Sequence, residues 1–244
     1  MSAPPSNLSG MKYPGRVILI GRDLSDEHNI VVYILTGRSA SSQARKLEPE
    51  KNRVWTKPTD TAALKKGNVE LLLYPAIAVS SRIAVSNGRQ TLDVLNQTGR
   101  CAVEVLTSAL QAWEYEPDAP IYTPRISGCL IPPDEAALHI IQRGEDGTSR
   151  RLFHAVPLIP GKGKFIATYS GENTDPLKPF TGEPLEVDLP ETTAQDTAEA
   201  VFEALKPEQG QDDYRVAVAC LFAPRSRMND YRVAIINRQE RKYP

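Results

Sequence analysis

The chain has 244 residues, of which 41% are hydrophobic and 24% charged, and its formal net charge is −1. That is the composition of an ordinary globular domain, without the basic surplus of a nucleic-acid binder. No apolar run approaches the ~20 residues that cross a bilayer, the histidines show no HxH or HExxH spacing, and the three cysteines form no CxxC pair. A metal site, a bound nucleic acid and a membrane anchor are therefore not expected.

Residues 1–12 lack the charged-then-apolar pattern of a signal peptide and read as a disordered tail ahead of one domain spanning 13–244. The expected location is the cytoplasm, where Cys101, Cys129 and Cys220, each in an apolar run, would stay as buried free thiols. Residues 16–20 predict a strand, and 21–28 a polar connection. Ile30, Val31, Val32, Tyr33, Ile34 and Leu35 then form a β-branched apolar run that predicts a buried strand. It stops at Thr36-Gly37-Arg38-Ser39 and passes into Gln43, Arg45 and Lys46. A strand that delivers arginine, hydroxyls and backbone amides at its end suits an anionic small molecule; a solvated turn is the plainer reading.

Residues 48–66 are charged and irregular, with a short strand at 53–56. The apolar run 69–79 is interrupted by Pro75, which removes a ladder donor and predicts a bend or a sheet edge at Tyr74-Pro75. A strand at 82–86 ends at Asn87-Gly88, a dipeptide that favours positive φ and a tight reversal, and a short helix follows through Val94. Ala102, Val105, Leu106, Ala109, Leu110 and Trp113 recur at helical spacing. After the acidic corner Glu114-Tyr115-Glu116-Pro117-Asp118, a strand is predicted at 125–131. Strands at 138–142 and 151–156 flank Glu145-Asp146-Gly147, a hairpin signal.

Gly161-Lys162-Gly163-Lys164 reads as a turn, 164–169 as a strand and the proline-rich 170–190 as a long loop. A helix starts near Thr193, with Asp196 as its capping partner and Ala198, Val201, Phe202 and Leu205 as its buried face. Strands at 215–222 and 231–237 complete the chain. About ten strands and two strong helices do not alternate as βαβ units, so antiparallel sheets with helices packed outside, an α+β arrangement, are predicted.

No GxxxxGKS phosphate loop, GxGxxG fingerprint or GxSxG elbow is present. What remains is polar residues at strand ends and bends: Arg38, Tyr74, Asn87-Gly88, Glu116 and Arg125. Each has a structural alternative, as a half-buried strand tyrosine, a surface charge at a helix exit, or an arginine paired with Glu114 or Glu116.

Together, Tyr13-Pro-Gly-Arg16, Tyr33 through Gly37-Arg38-Ser39, Tyr74, Val85-Ser-Asn-Gly88, Glu114-Tyr115-Glu116 and Thr123-Pro-Arg-Ile126 resemble the archaeal-type IMP cyclohydrolase family, in the family's order and approximate spacing. The resemblance implies a four-layer α-β-β-α sandwich like that of the N-terminal-nucleophile hydrolases, with two stacked, mostly antiparallel sheets between helices. It implies closure of the purine ring of 5-formamidoimidazole-4-carboxamide ribonucleotide to IMP with loss of water, without a cofactor or metal. By the same resemblance Glu116 is a candidate for proton transfer, Tyr74 for the formyl oxygen and Arg38 for a substrate oxygen or phosphate. Gly37, Ser39, Gln43, Arg45, Asn87, Gly88 and Arg125 are candidates for holding the ribonucleotide.

The chain departs from the family where a second arginine is expected five residues beyond Arg38. Gln43 stands there, with Arg45 nearby. The family's Asn-Gly-Ser-His-Thr-Asp reads Asn87-Gly-Arg-Gln-Thr91 here, and there is added length at the N-terminus and around 170–190. The alternatives are a non-catalytic purine-ribonucleotide-binding protein of the same fold and a related activity on a similar ribonucleotide. An N-terminal-nucleophile amidohydrolase is disfavoured, because no Ser, Thr or Cys is placed to begin the first strand after Tyr13-Pro14-Gly15. Assembly into a homo-oligomer is compatible with the composition.

Overall fold

The computed structural model describes residues 6–241. The chain runs α1 (Ser6–Ser9), β1 (Arg16–Arg22), β2 (His28–Thr36), α2 (Ala40–Gln43), β3 (Arg45–Glu50), β4 (Arg53–Pro58), α3 (Thr61–Leu64) and α4 (Val69–Leu72). There follow β5 (Pro75–Val79), β6 (Ile83–Ser86), α5 (Thr91–Asn96), α6 (Ala102–Ala109), β7 (Arg125–Ile131), β8 (Glu135–Arg143) and β9 (Ser149–Ala155). The last elements are β10 (Lys162–Ala167), β11 (Leu185–Asp188), α7 (Ala194–Ala204), β12 (Arg215–Pro224) and β13 (Arg232–Asn237).

The strands form a six-stranded sheet, in the order β11-β10-β1-β2-β12-β13, and a seven-stranded sheet running β3 to β9 in sequence order. Every neighbouring pair is antiparallel. The aliphatic run of β2 is buried along nearly its whole length, because the strand has apolar material on both faces. On one side α7 lies over β12 and β13 with Ala198, Val201 and Phe202 buried; on the other face the second sheet closes the core. Helices α5 and α6 cover the far face of that sheet with Val94, Val105, Leu106 and Leu110. The layers are thus helix, sheet, sheet, helix, an α+β arrangement in the order that the family resemblance implied.

The sheets approach closely at Gly128 on β7. A Cβ there would lie 2.9 Å from Ile20 Cδ1 and 3.3 Å from Ile18 Cγ2, so the absence of a side chain lets β1 pack onto β7. Even-numbered β1 residues, Arg16 among them, therefore face the gap between the sheets. β1 starts, β2 ends, β5 starts, β6 ends and β7 starts at the same end of the sandwich. That shared end gathers Arg16, Thr36, Tyr74, Asn87 and Arg125.

Several sequence expectations need correction. Residues 48–50, expected to be irregular, belong to strand β3: Arg45 and Leu47 are buried between half-buried Lys46 and Glu48, a two-residue period hidden by the charge density. Residues 69–72 are helical; of the bend or sheet edge expected at Tyr74-Pro75 the bend is present at Tyr74, but Pro75 opens β5, an inner strand. A proline at the first strand residue leaves the ladder almost intact. Neither Asn87 nor Gly88 has positive φ. Gly161 does (φ +73), but the predicted turn at 161–164 gives way to β10 at Lys162. The 170–190 loop contains edge strand β11. Of the predicted tail, residues 1–5 lie outside the described region, whereas Ser6–Ser9 form a helical turn whose Leu8 is fully buried against the core. No helix among the described residues is long and apolar enough to cross a membrane.

Candidate active site

Two polar contacts cross the gap between the sheets at the shared end. Arg16, the first residue of β1, donates through Nη2 to Glu116 Oε1 at 2.5 Å. Tyr33, from the middle of β2, and Tyr74, just before β5, bring their hydroxyls to 2.7 Å, and both side chains are fully buried.

Glu116 lies beyond α6 in a loop closed on itself. Its amide donates to the Thr123 carbonyl (2.9 Å), and the Asp118 carboxylate accepts from the Thr123 amide (2.7 Å) and hydroxyl (2.5 Å). Asn87 fixes the carboxylate from a second direction. Its Nδ2 donates to Glu116 Oε1 (3.1 Å) and the Pro124 carbonyl (2.9 Å), while its Oδ1 accepts from the Ile126 amide and Gln90 Nε2. Every hydrogen-bonding capacity of that amide points inward, which explains a fully buried asparagine. Both bonds to Glu116 fall on Oε1 and leave Oε2 free of them. Burial raises the pKa of Glu116, and the opposing charges of Arg16 and Arg125 only partly offset it. Burial works against the charge of Arg16, but Glu116 holds its pKa well above the ordinary value. Burial also pushes the Tyr33 phenol well up, with Tyr74 adding to the effect.

Two further guanidiniums are buried here. Arg45 is 2% exposed; its Nε donates to the Ser42 carbonyl (2.9 Å), its Nη1 is buried without a hydrogen-bond partner, and it pairs with no carboxylate among the described residues. It lies close enough to Tyr33 to act on that hydroxyl. Arg125 donates to the Glu114 carbonyl (2.8 Å) and to Gln90 Oε1 (3.4 Å) and stacks over Trp113 at 4.8 Å; burial lowers its pKa. A Cβ on Gly88 would come within 2.4 Å of Gln90 Oε1 and 2.9 Å of Arg125 Nη1, so the glycine is what admits this arginine. Arg16 and Arg125 thus act on Glu116, with half-buried Asp118 as a second carboxylate, while Arg45 beside Tyr33 adds a buried cation without a carboxylate partner that an anionic ligand would neutralise.

The fold brings Tyr74, Asn87, Gly88, Glu116 and Arg125 together, with Arg45 beside them. The 37–43 segment forms a separate rim. Arg38 is half-buried, donates to Asn173 Oδ1 (3.4 Å) and the Thr174 carbonyl (3.1 Å), and lies 5.9 Å from the Tyr13 ring centre; it touches neither Tyr74 nor Glu116. Ser39 caps α2 and is exposed. The Gly37 amide donates to the Tyr214 carbonyl, and its carbonyl accepts from Gln43 Nε2 (3.0 Å), whose Oε1 accepts in turn from Arg238 (2.9 Å). Rings join rim and centre: Tyr13 packs on Tyr169 (5.6 Å) and Tyr214 (5.3 Å), and the Tyr169 hydroxyl meets Thr123 Oγ1 at 2.7 Å.

Sequence reading gave no role to Arg16 or Tyr33. The available signals were a lone charge opening an aliphatic strand and a lone hydroxyl within one. A cavity of about 1100 Å³ also opens beside Asn173, Thr174 and Tyr214, towards Lys12, Lys206 and Arg215; Arg16, Tyr74 and Glu116 do not line it. Its lining mixes Lys12, Lys206 and Arg215 with Glu172, Glu208 and Asp212, whereas the inter-sheet cluster holds a buried carboxylate, Glu116, with a raised pKa. Among the described residues no His, Cys, Asp and Glu cluster is arranged to hold a metal ion.

Comparison with curated proteins finds no significant match. A family model described as IMP cyclohydrolase-like protein matches residues 13–220, a span that takes in both crossing contacts, the 37–43 segment and all strands through most of β12. The chain belongs to the IMP cyclohydrolase-like family.

Proposed function

We propose that this protein is an IMP cyclohydrolase, closing the ring of 5-formamidoimidazole-4-carboxamide ribonucleotide with release of water. The observation that carries this reading is the Glu116 carboxylate, with Oε1 held by Arg16 and Asn87, Oε2 left free and burial raising its proton affinity. Such a group suits proton transfer near neutral pH.

The carboxamide nitrogen attacks the formyl carbon and forms the new C–N bond. Glu116 takes the proton this nitrogen loses, and Tyr74 gives its phenol proton to the formyl oxygen. Dehydration completes the ring: the C–O bond breaks, Glu116 returns its proton to the departing oxygen as water, and the former formamido nitrogen gives up a proton that restores Tyr74. Holding the two reacting groups together within one molecule is itself a large part of the rate. Arg45 and Arg125 supply cations for the phosphate and ring oxygens, and the rim residues Gly37, Arg38, Ser39 and Gln43 contact the ribonucleotide.

The test is cyclisation of the formylated ribonucleotide, followed by ultraviolet absorbance. Wild type should turn over, while Glu116→Gln and Tyr74→Phe should each lose roughly 100-fold or more in kcat. Two unaffected variants would refute these roles. The alternative is a non-catalytic purine-ribonucleotide binder, favoured by Gln43 and by Arg38 being tied to Asn173 and Thr174. Calorimetric binding of IMP without any turnover would establish that alternative.

A further inference from the structure

We infer that Tyr33 is a positioning residue for Tyr74, donating a hydrogen bond across the gap between the sheets so that the Tyr74 proton is left for the ligand. The inference rests on the proposed role of Tyr74. Each phenol carries one proton, and the pair at 2.7 Å shares one of the two. Whichever tyrosine donates within the pair has no proton left to give elsewhere.

The surroundings decide the direction. Tyr33 is set into β2, opposite Ile18 of β1 and Ala219 of β12, and its hydroxyl makes no hydrogen bond besides that to Tyr74. The charges nearest its ring, Arg16 and Arg45, are cations that cannot accept a proton. Tyr33 therefore has one acceptor, the Tyr74 oxygen. Tyr74 sits one residue ahead of β5, at the end of the sandwich that holds Glu116, Asn87 and Arg125, so a ligand held by those groups would supply the acceptor for its proton. Burial also keeps Tyr33 a phenol, able to donate, throughout the working pH range.

Little else in Tyr74 is free to move. Its amide donates to Thr56 Oγ1 (2.8 Å), and its carbonyl accepts from the Thr56 amide (2.9 Å) and hydroxyl (3.0 Å). With the backbone clamped and the ring buried, the remaining freedom is rotation of the hydroxyl, and Tyr33 removes it. Phenylalanine would fill the Tyr33 position equally well as a packing element.

A double-mutant cycle on cyclisation tests the link. Tyr33→Phe should lower kcat roughly 10-fold while KM stays within about twofold, with little change in melting temperature. Tyr33→Phe with Tyr74→Phe should be no slower than Tyr74→Phe alone, because the first hydroxyl acts through the second. Full kcat in Tyr33→Phe, or losses that multiply in the double variant, would overturn the inference. If wild type binds IMP without turnover, the proposed reaction fails but the link remains decidable by the same cycle read as IMP affinity. Coupled losses would then uphold the link, and additive losses or none would overturn it; absence of IMP binding would overturn both readings.

Discussion

Arg16 and Glu116 are a buried pair in which each ion depends on the other, so removing one has a signed effect. Glu116 must be ionised to act as a base, and activity should fall as pH drops through its folded-state pKa, which burial places above the usual carboxylate value. Arg16→Met removes the charge that pulls that pKa back down. The acid limb of kcat/KM should move to higher pH, and urea unfolding at neutral pH should show a loss of about 3 kcal/mol from the unpaired carboxylate. A limb that stays in place would exclude Glu116 as the titrating base. His139 on β8 gives a second pH effect. It is fully buried, neither ring nitrogen has a partner, and burial lowers its pKa to about 3. The unfolded chain binds this proton below its ordinary pKa while the folded chain does not, so stability declines as pH falls from that ordinary value towards about 3. By roughly pH 5 the loss should approach about 2 kcal/mol, and His139→Phe should remove it, as chemical denaturation at the two pH values can show. Glu116, Tyr74, Asn87 and Arg125 could be picked out in the sequence as polar residues at strand ends and bends, and the fold brings them together. Arg16 could not be picked out, because what gives it a role is a carboxylate 100 residues away.

Among elements, the turn into β1 is the least tolerant. Gly15 has φ +74, and a Cβ there would lie 2.1 Å from Thr168 Oγ1 and 2.6 Å from the Tyr169 ring. Its carbonyl also accepts from the Thr36 amide and hydroxyl, tying the start of β1 to the end of β2. Gly15→Ala combines a strained φ with contacts that only a backbone shift relieves, and should lower stability by roughly 2 kcal/mol or more, measured as a fall in melting temperature. The strands that sequence missed fail for a shared reason. β3 and β11 carry alternating charge, and their pairing partners, not their own hydrophobicity, make them strands. The long aliphatic strands β1, β2, β7 and β12 announce themselves, since a strand covered on both faces reads as a nearly continuous apolar run with its polar residues mostly at the ends. The Asn87-Gly88 reversal was misjudged because an asparagine side chain satisfied from four sides can hold a bend that φ alone would not suggest.

For the whole molecule, the C-terminal segment is part of the rim. Arg238 donates to the Asp213 carbonyl (2.6 Å) and to Gln43 Oε1 (2.9 Å), and Gln43 in turn holds the Gly37 carbonyl. Arg238→Ala should loosen this end of the rim, raising KM several-fold with kcat and melting temperature nearly unchanged in the cyclisation assay. At the opposite end of the sandwich, Arg22, 3% exposed on its side chain, reaches Asp26 and Asp134 at 2.6 Å each, and Arg225 reaches the same two carboxylates. One end of the molecule is thus pinned by ions between the sheets, and the other is pinned by the groups proposed to do the chemistry. Sequence foretold the layered arrangement through its strand count, but not which end would carry which role.

The order in which the strands appear along the chain has one more consequence. Every group in the two crossing contacts lies before residue 117, yet β10 and β12, which flank the β1–β2 hairpin on either side, come after residue 161. A polypeptide leaving the ribosome would carry both crossing pairs well before it had a finished sheet on which to mount them. Under the proposed roles, the site would be complete only once β12 had paired with β2.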